Sequence, residues 1–580
     1  MNSPPVPAQG MEPDPQRPWL SRYPPGVPWT IEAREQPLDA LFAEAATEYP
    51  DRPFLDFFGK RTTYGEAAEL IGRAAEGFRR LGIARDTRVG LCLPNTPYSV
   101  LCFFAVLAAG GTVVNFNPLS AERQILRQIE DSETEVMVTI DLRPVFSRII
   151  GALAGTRLRH VVMCRMASAL PFPRNVAFRL QEHARLATPP RDERVLDFAT
   201  LIAGGGALDA VPARPGSDVA VIQYTGGTTG EPKGVLLSHK SLRANVAQLR
   251  AWFTRADPGA ERFLAVLPFF HAFGMTAVMN FAVALGGELV ILPRFRPAEA
   301  LRAIERRHVT MLVGVPALFH ALAECPAIKR TDLSSLKVCV SGGDILPASV
   351  ARRFVALTGV PLAEGFGLTE CGPVVSCSNP LEGVERAGSC GLPLPGTDLA
   401  IMSAETGTPN VRLPAGEIGE ICVRGPQVML GYWRRPEATR DAQSDGWLHT
   451  GDLGRLDHDG FLYFVSRRPE VIAVRGYKVY ARTVEEAIRP HPAVADVAVV
   501  GVPDPARGEV PMAFIVLREG MALDPVALRA FLTDKLSPIE MPRNFEFRAD
   551  LPKSAFGKVL KHELVGLPVR PSDPGLETKG

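Results

Sequence analysis

The chain has 580 residues, which is more than one compact core usually holds, so at least two domains are expected. Its 64 Lys and Arg residues nearly balance 63 Asp and Glu residues, and the net charge of +1 gives no electrostatic reason to expect a nucleic-acid partner. Nine cysteines form no CxxC pair and no Cys/His cluster at metal-ligand spacing, which argues against a disulfide framework or a structural zinc site and indicates a cytoplasmic protein.

The N-terminal end and two apolar stretches bear on the expected location of the protein. Residues 1–18 are rich in proline and have neither the basic start nor the apolar run of a signal peptide, so we expect a disordered extension. Residues 89–121 and 264–292 are apolar, but prolines, glycines or polar residues interrupt them before the roughly 20 apolar residues of a membrane span are reached. Both stretches are predicted to be buried helix–strand pairs.

Residues 19–466 show short apolar runs alternating with longer amphipathic ones. Val219–Tyr224 is predicted to be a buried strand, followed by a loop, a second strand at residues 235–237, and a helix capped by Ser238. The same order recurs at residues 338–340 and 347–357. Alternation of this kind predicts a large α/β domain of mostly parallel sheets covered by helices.

The pattern changes near residue 466. Residues 466–470 (SRRPE) are charged and contain a proline, as a linker should. Beyond them, residues 467–570 are predicted to form a small α+β domain, joined by a hinge and followed by a tail at residues 571–580. Its predicted strands lie at residues 494–502 and 513–517, and its predicted helices at residues 484–489 and 525–536.

The segment at residues 170–186 places arginines beside apolar residues at helical spacing. Arg174, Arg179 and Arg185 accompany Val176 and Leu180. Such a helix can rest on a membrane surface as a peripheral contact. An ordinary surface helix is the alternative.

The segment YTGGTTGEPKG, at residues 224–234, has the composition of a phosphate-binding loop. Its glycines let backbone N–H groups converge on an anion, its threonines add hydroxyl donors, and its lysine supplies a positive charge. The spacing differs from GxxxxGK[ST], so the loop is not a P-loop, and a glycine-rich hairpin without a ligand is the alternative. The residues assigned to phosphate binding are Thr225, Gly226, Gly227, Thr228, Thr229, Gly230 and Lys233.

This loop resembles the signature of the AMP-forming acyl-CoA synthetase, adenylation-domain and luciferase superfamily. Further signatures of that superfamily follow in order: LPFFHAFG, EGFGLTE, GWLHTGD, RGYKVY and LPKSAFGK. WLSRYPPGVP near the start, and GPQVMLGYWRRPEAT, are most similar to bacterial long-chain fatty-acid–CoA ligases. The resemblance implies two steps, in which a carboxylate attacks the α-phosphate of Mg·ATP to give acyl-AMP and pyrophosphate, and CoA then displaces AMP.

The resemblance also implies roles for individual residues. Thr369 would contact the α-phosphate, Glu370 would bind Mg²⁺, and Lys558 would bridge the carboxylate and the α-phosphate. His271 would lie beside the carboxylate, unless it is simply a core histidine. The residues assigned to the adenine and the ribose are Gly342, Gly343, Asp344, Phe366, Asp452 and Arg467.

The acid would lie between the segment that contains His271 and the residues at 313–319. Gly314 would leave a tunnel open for an alkyl chain, each buried CH₂ of which contributes about 0.8 kcal/mol. The alternative is that these apolar residues only pack the core. The residues assigned to the acyl pocket are Phe273, Gly274, Val313, Gly314 and Val315.

The hinge is where the chain departs from the family pattern. Asp or Lys is usual two residues beyond the ribose-binding arginine, but Pro469 stands there. Proline fixes φ at about −65°, so rotation of the small domain is expected to be impeded. Adenylation is expected to be intact, because the residues assigned to it are present. Phe366 also replaces a usual Tyr, which keeps a stacking face and loses a hydroxyl. The resemblance places Arg475, Gly476 and Tyr477 on the CoA side.

Together these features predict an ATP-dependent long-chain fatty-acid–CoA ligase that uses Mg²⁺, ATP and CoA and has small-molecule partners. Two alternatives stay open. One is an adenylating enzyme for a dicarboxylic or aryl acid, or one that passes acyl-AMP to another acceptor. The other is a catalytically retired acyl-binding protein. The sequence indicates no oligomeric state.

Overall fold

The computed structural model describes residues 16–31, 35–204, 215–225, 232–403, 411–474, 477–504, 507–553 and 559–564. The strands are β1 (Pro53–Phe57), β2 (Lys60–Thr63), β3 (Arg88–Cys92), β4 (Thr112–Asn115), β5 (Val136–Ile140), β6 (His160–Cys164), β7 (Val195–Asp197), β8 (Val219–Tyr224), β9 (Gly234–Ser238), β10 (Arg262–Ala265), β11 (Glu288–Ile291), β12 (Met311–Gly314), β13 (Val338–Ser341), β14 (Leu362–Gly367), β15 (Val374–Cys377), β16 (Leu392–Pro393), β17 (Asp398–Met402), β18 (Gly419–Arg424), β19 (Gly431–Tyr432), β20 (Gln443–Ser444), β21 (Trp447–Leu456), β22 (Leu462–Arg467), β23 (Val471–Val474), β24 (Tyr477–Tyr480), β25 (Val494–Asp504), β26 (Gly508–Leu517) and β27 (Asn544–Arg548).

The α-helices alternate with the strands through the first 360 residues or so and become sparse beyond them. They are α1 (Asp39–Glu48), α2 (Tyr64–Arg80), α3 (Pro97–Ala109), α4 (Glu122–Ser132), α5 (Arg143–Ala152), α6 (Met166–Ala169), α7 (Arg174–Gln181), α8 (Phe198–Ala203), α9 (His239–Trp252), α10 (Ala272–Gly274), α11 (Phe281–Ala284), α12 (Pro297–Arg307), α13 (Pro316–Glu324), α14 (Ala348–Thr358), α15 (Pro436–Ala442), α16 (Ala481–Ile488) and α17 (Pro525–Leu532). A π-helical turn, Met275–Asn280, continues α10.

Two sheets with mainly parallel strands form most of the large domain. In the first, β14, β13, β12, β10, β11 and β1 run parallel, and antiparallel strands lie at both edges. In the second, β8, β4, β3, β5, β6 and β7 run parallel, and β9 and β19 close one edge. The predicted α/β class is confirmed.

The local predictions around β8 also hold. The strand spans Val219–Tyr224, and Ser238 caps α9 because its Oγ accepts a hydrogen bond from the N–H of Ser241 at 3.0 Å. The two apolar stretches form β3, α3 and β4, and β10 with the helical turns that precede β11, and they are largely buried. None of the helices in the described ranges is both long and apolar enough to cross a membrane.

A third sheet was not predicted. Residues 398–467 form β17, β18, β21, β20 and β22, and every pairing within this sheet is antiparallel. Strands β21 and β22 are antiparallel because a short turn connects them and no helix crosses over between them.

The small domain is built on an antiparallel sheet of β24, β23, β26 and β25, with β27 parallel to β26 and with α16 and α17 packed on it. The predicted α+β character is confirmed. The predicted helix at residues 525–536 ends earlier, at Leu532. The predicted linker is ordered: residues 466 and 467 end β22, and Arg468–Glu470 form a 3₁₀ turn.

The predicted N-terminal extension is too long by three residues. Arg17 Nε lies 2.7 Å from Asp398 Oδ1, and Pro18–Arg22 form a 3₁₀ turn that buries Trp19. Residues 16–18 are therefore held against β17. Residues 1–15 and the predicted tail lie outside the described residues.

Candidate active site

The loop between β8 and β9 is closed at its base by a backbone hydrogen bond. The N–H of Thr225 donates to the carbonyl of Lys233 at 3.1 Å. Lys233 is exposed, and its Nζ lies 4.9 Å from the centre of the Tyr432 ring. The intervening phosphate-loop residues, Gly226, Gly227, Thr228, Thr229 and Gly230, lie outside the described residues, so their assignment stays a prediction.

Tyr432 connects the lysine of this loop to the predicted metal ligand. It pairs with Val235 through β19 and β9, and its hydroxyl donates to Glu370 Oε1 at 2.8 Å. Burial, and then the Glu370 carboxylate, raises the pKa of Tyr432, so the phenol keeps its proton and donates. Thr369 precedes Glu370 in the same 3₁₀ turn. The structure thus brings Lys233, Thr369 and Glu370 to one place through a residue that the sequence reasoning did not single out.

Asp452 and Arg467 meet across the β21–β22 pairing. They are directly opposite in register, and Arg467 Nε lies 3.6 Å from Asp452 Oδ1. Asp452 is buried, and its N–H donates to Thr450 Oγ1 at 3.1 Å. The two residues predicted to bind the ribose are therefore neighbours held by strand pairing.

Glycines at residues 342 and 343 follow β13 where backbones and rings approach closely. A Cβ at Gly342 would lie 3.0 Å from Phe273 Cζ and 3.3 Å from the carbonyl oxygen of Gly365. Gly343 has φ +78°, a conformation that favours glycine. Gly343 and Asp344 are exposed, so this end of the parallel sheet is open to solvent. The carboxyl ends of parallel strands are the usual place for a ligand site.

The predicted adenine-stacking residue, Phe366, lies on β14 next to Phe464 of β22, the strand that leads into the predicted hinge. It is 8% exposed, and its ring centre is 6.1 Å from that of Phe464. Arg482, at the start of α16, donates to the carbonyl of Phe464 and lies over its ring. The small domain is therefore in contact with the strand beside the predicted base site.

Glu364 is a partly buried residue of β14, the strand that also carries Phe366. Its Oε1 accepts a hydrogen bond from the N–H of Leu346 at 3.1 Å. Burial raises the pKa of Glu364 to about 7, although the Leu346 hydrogen bond and the charge of Arg482 act in the opposite direction. At neutral pH the native protein therefore keeps a substantial fraction of Glu364 protonated.

This raised pKa predicts a pH-dependent stability. The native state binds the Glu364 proton more tightly than the unfolded chain does. The contribution of Glu364 to the free energy of unfolding therefore falls as pH rises from about 4.5 to about 7, and it stays low at higher pH. Glu364→Gln should remove this loss. The difference in free energy of unfolding between the variant and the wild type should therefore be more favourable to the variant at pH 8 than at pH 4, by up to about 3 kcal/mol. Thermal unfolding from pH 4 to 8 measures it, with the exposed Glu437→Gln as control. Parallel curves for Glu364→Gln and wild type would contradict the assignment.

His271 begins α10 and caps it. Its Nδ1 accepts a hydrogen bond from the N–H of Phe273 at 3.3 Å, which leaves the proton of the neutral ring on Nε2. Burial lowers the pKa of His271 to about 4, so the ring is neutral at pH 7. The Cβ of any residue replacing Gly274 would lie 2.2 Å from the Pro268 carbonyl oxygen, so the glycine is needed for close packing.

Buried amides that the sequence reasoning missed hold this segment in place. Asn95 accepts from the N–H of Phe269 and donates to the Leu267 carbonyl at 2.8 Å. Gln223, at the end of β8, donates to the Phe270 carbonyl and accepts from Asn115, both at 2.9 Å. The strand that leads into the phosphate loop is therefore tied directly to the segment that carries His271. A polar residue within an apolar strand (VAVIQY) was the available signal.

The space beside Gly314, where the sequence predicts a tunnel, is taken up by neighbouring side chains in this structure. A Cβ at this position would lie 3.0 Å from Leu318 Cδ2 and 3.1 Å from Phe319 Cε2, because these two side chains already occupy the space. Val313 is buried, whereas Val315 and Phe273 are half-buried beside the two glycines at residues 342 and 343. A small cavity lies instead behind the His271 segment, lined by Leu91, Leu93, Ser99, Phe103, Asn115, Phe269, Phe270 and Met279.

Comparisons with known proteins agree with this two-domain arrangement. Residues 42–433 match the model of the AMP-binding enzyme family, and residues 483–558 match that of the AMP-binding enzyme C-terminal domain. The chain belongs to the AMP-binding enzyme family.

Relatives of this AMP-binding enzyme extend over nearly its whole length. It is 38% identical over 553 residues to a long-chain-fatty-acid–CoA ligase of Bacillus subtilis, covering 95% of this chain and 98% of the relative. ATP-bound MatB from Rhodopseudomonas palustris superimposes with a TM-score of 0.80 at 28% identity, covering 91% of this chain and 98% of MatB. The anthranilate CoA ligase AuaEII, in complex with anthranoyl-AMP, gives a TM-score of 0.80 at 25% identity, with 92% and 98% covered.

In this AMP-binding enzyme, the charged residues before the predicted hinge residue pair with the large domain, and the one after it pairs with the small domain. Arg468 Nη1 lies 3.7 Å from Glu420 Oε2 of the large domain, and Arg467 pairs with Asp452. On the other side, Glu470 Oε2 lies 2.8 Å from Lys561 Nζ of the small domain. Pro469 is the residue between these two sets of anchors.

Several other predicted site residues have no described side chain. Lys558, Arg475 and Gly476 lie outside the described residues. Of Tyr477 only the backbone, as the first residue of β24, is described. Their roles stay predictions.

Proposed function

We propose that this AMP-binding enzyme is a fatty-acid–CoA ligase. In the first step a carboxylate oxygen of the acid attacks the α-phosphorus of ATP, the bond to the β-phosphate breaks, and pyrophosphate leaves. In the second step the CoA thiol loses its proton and its sulfur attacks the acyl carbonyl, and AMP leaves. The observation that carries the proposal is the convergence of Lys233, Tyr432 and Glu370 next to the phosphate loop. The full-length similarity to a long-chain-fatty-acid–CoA ligase supports the fatty acid as substrate.

The residues of this site address the main difficulty of the first step, which is the approach of an anion to a polyanion. Lys233 would neutralise phosphate charge, and Thr225 and Thr369 would donate hydrogen bonds. His271 is neutral at pH 7, so its Nε2–H can orient a carboxylate without trapping it in an ion pair. Asp452 and Arg467 would bind the ribose, Gly342, Gly343, Asp344 and Phe366 the adenine.

Glu370 fits the requirements of Mg²⁺. The ion prefers oxygen ligands and is usually held by one or two carboxylates together with substrate phosphates. The Tyr432 hydroxyl donates a hydrogen bond to Oε1 of Glu370 and so restricts the orientation of the carboxylate. When bound there, Mg²⁺ would supply charge neutralisation at the phosphates.

The apolar surroundings of His271 favour an acid with an alkyl chain. We place the chain along Phe273 and Val315, the half-buried apolar residues beside Gly342 and Gly343, rather than through Gly314. Burial of each CH₂ contributes about 0.8 kcal/mol, so a long chain gains most. An aryl acid is the second candidate, because the AuaEII complex holds an aryl adenylate in a similar fold.

One assay separates these functions. Pyrophosphate release and acyl-CoA formation are measured with ATP, Mg²⁺ and CoA for decanoate, palmitate, benzoate and succinate. The proposal expects both products with the fatty acids and the highest kcat/KM for palmitate. Preference for benzoate or succinate would replace the substrate assignment, pyrophosphate without acyl-CoA would indicate another acceptor, and no product with any acid would indicate a non-catalytic protein.

The hinge predicts an imbalance between the two steps. Because Pro469 lies between the anchors of the two domains and has a fixed φ, Pro469→Asp should speed thioester formation by about tenfold, equivalent to about 1.4 kcal/mol, and leave pyrophosphate formation unchanged. Single-turnover measurement of both steps tests this. Pro436→Asp, at the exposed start of α15, is the matched control. Equal thioester-forming rates in wild type and Pro469→Asp would show that the proline does not stiffen the hinge.

We also propose that the surface around α7 contacts an anionic membrane. Phe172, Val176 and Leu180 are 81%, 46% and 76% exposed, and no residue of α7 is buried. Arg174 and Arg179 lie on the same short helix, so apolar and positive groups are presented together.

Co-sedimentation with vesicles tests this contact. Binding to phosphatidylglycerol-containing vesicles should exceed binding to pure phosphatidylcholine, and the double change Phe172→Ser, Leu180→Ser should abolish it. Met521→Ser, which alters an exposed apolar residue of the small domain, should have no effect. Equal binding of both variants would contradict the proposal.

A further inference from the structure

Three metal-ligating side chains meet on the third sheet, outside the site described above. Glu420 and Cys422 are two residues apart on β18, and Cys422 is directly opposite His449 on the antiparallel strand β21. The register of this pairing changes between Glu420 and Cys422. Alternation along β18 and pairing across to β21 place the three side chains together.

Two of the three distances between the ligand atoms are close to those of a tetrahedral metal site. Cys422 Sγ lies 3.4 Å from His449 Nδ1, and His449 Nδ1 lies 3.2 Å from Glu420 Oε2. The three ligand atoms all lie within 4.8 Å of one another. Zn²⁺ bonds of about 2.3 Å to sulfur and about 2.0–2.1 Å to nitrogen or oxygen give ligand–ligand distances of about 3.3–3.6 Å at tetrahedral angles.

Partners behind these ligands orient them. Ser444 Oγ lies 2.9 Å from His449 Nε2, and the N–H of Gly451 donates to Glu420 Oε1 at 3.0 Å. With the ring proton on Nε2 and donated to Ser444, the lone pair of Nδ1 faces the other two ligand atoms. Metal-binding histidines usually donate their second ring N–H in this way. A cation would then bind where three electron-pair donors converge.

The surroundings allow an ion to enter. Cys422 is fully buried against Ala400, Met402 and Trp447, whereas the His449 side chain is 20% exposed and marks the open side. Arg468 is the competing cation, with Nη1 3.7 Å from Glu420 Oε2. Its side chain is 47% exposed, so it can turn toward solvent when a metal ion takes its place.

We propose that Glu420, Cys422 and His449 bind a divalent transition-metal ion, for which Zn²⁺ is the best match. A thiolate, an imidazole and a carboxylate suit Zn²⁺ rather than Mg²⁺, and water would complete the coordination. On binding, the Cys422 thiol becomes a thiolate and its proton passes to solvent. The site shares no residue with the proposed Mg²⁺ site at Glu370 and does not depend on the proposed ligase activity.

Cobalt substitution tests the ligands directly. Titration of the full-length protein with Co²⁺ should produce a thiolate-to-cobalt charge-transfer band that saturates at one ion per chain. Cys422→Ser should abolish the band, and Cys92→Ser, a change at another fully buried cysteine, should leave it intact. No band in the wild type, or a band that survives in Cys422→Ser, would overturn the proposal.

A second measurement uses a variant at a partly exposed position, where folding is not at risk. Zn²⁺ at about 100 times its Kd should raise the Tm of the wild type by several degrees, because it binds only the folded state. His449→Gln should melt at the same temperature with and without Zn²⁺. An equal Tm shift in wild type and His449→Gln would show that Zn²⁺ binds elsewhere.

Discussion

Replacing Lys558 by alanine should lower acyl-adenylate formation about 10²–10³-fold, the scale of losing one preorganised charge in a transition state. Lys558 belongs to the LPKSAFGK signature, which the family resemblance places at the α-phosphate during the first step. Thioester formation from supplied acyl-AMP should be largely spared, because the resemblance assigns Lys558 to the first step alone. Single-turnover measurement of both half-reactions, monitored as pyrophosphate and acyl-CoA, gives the comparison.

The same signature supplies the matched control. Lys553 Nζ lies 2.8 Å from Asp496 Oδ2 within the small domain, so Lys553→Ala removes a positive charge that has a structural partner. The pair is partly exposed and contributes at most about 1 kcal/mol of stability. Lys553→Ala should therefore leave both half-reactions unchanged. If Lys558→Ala slowed both half-reactions equally, Lys558 would have a structural role and its catalytic assignment would be wrong.

Glu370→Gln should lower adenylate formation by about 10²-fold, since it removes the carboxylate charge proposed to bind Mg²⁺ and keeps the shape of the side chain. The loss should shrink as Mg²⁺ is raised, because a weakened site fills at higher concentration. Initial rates of pyrophosphate release across a Mg²⁺ titration measure both effects.

Tyr432→Phe tests the orientation of the Glu370 carboxylate while its charge is kept. The phenyl ring keeps its place beneath Lys233, while the 2.8 Å hydrogen bond to Glu370 Oε1 is lost. Hydrogen bonds to charged groups contribute about 1.5–3 kcal/mol. Because the Glu370 charge is kept, we expect the lower end of this range, a loss of about tenfold, which is smaller than that of Glu370→Gln. A Mg²⁺ dependence identical to that of the wild type in Glu370→Gln would contradict the metal assignment.

Patterns confined to about ten residues were predictable. The strand Val219–Tyr224 and the cap at Ser238 follow from β-branched composition and from the hydroxyl that satisfies a helix N-terminus. The α/β class follows from repetition of the strand–helix unit. Asp452 and Arg467 were predicted from motifs, and strand pairing brings them together.

Features that depend on contacts between distant segments were not predictable. The antiparallel sheet at residues 398–467 and the packing of Leu318 and Phe319 beside Gly314 depend on which segments pack together. Tyr432 reaches Glu370, 62 residues away in the chain, only because β19 pairs with β9. The motif could therefore predict Glu370 but not its hydrogen-bond partner, Tyr432.

The sequence by itself determined the chemistry of this protein: a glycine- and threonine-rich loop after a buried strand, and a set of signatures whose order identifies an adenylate-forming enzyme. The tertiary structure alone decided where the cavity lies, which side chain orients Glu370, and that Cys422 and His449 meet. The sequence argued against a structural zinc site because no Cys/His cluster has metal-ligand spacing, and Cys422 and His449 are 27 positions apart. The pairing of β18 with β21 places Cys422 opposite His449, because strand pairing sets which side chains face each other regardless of their separation in the sequence.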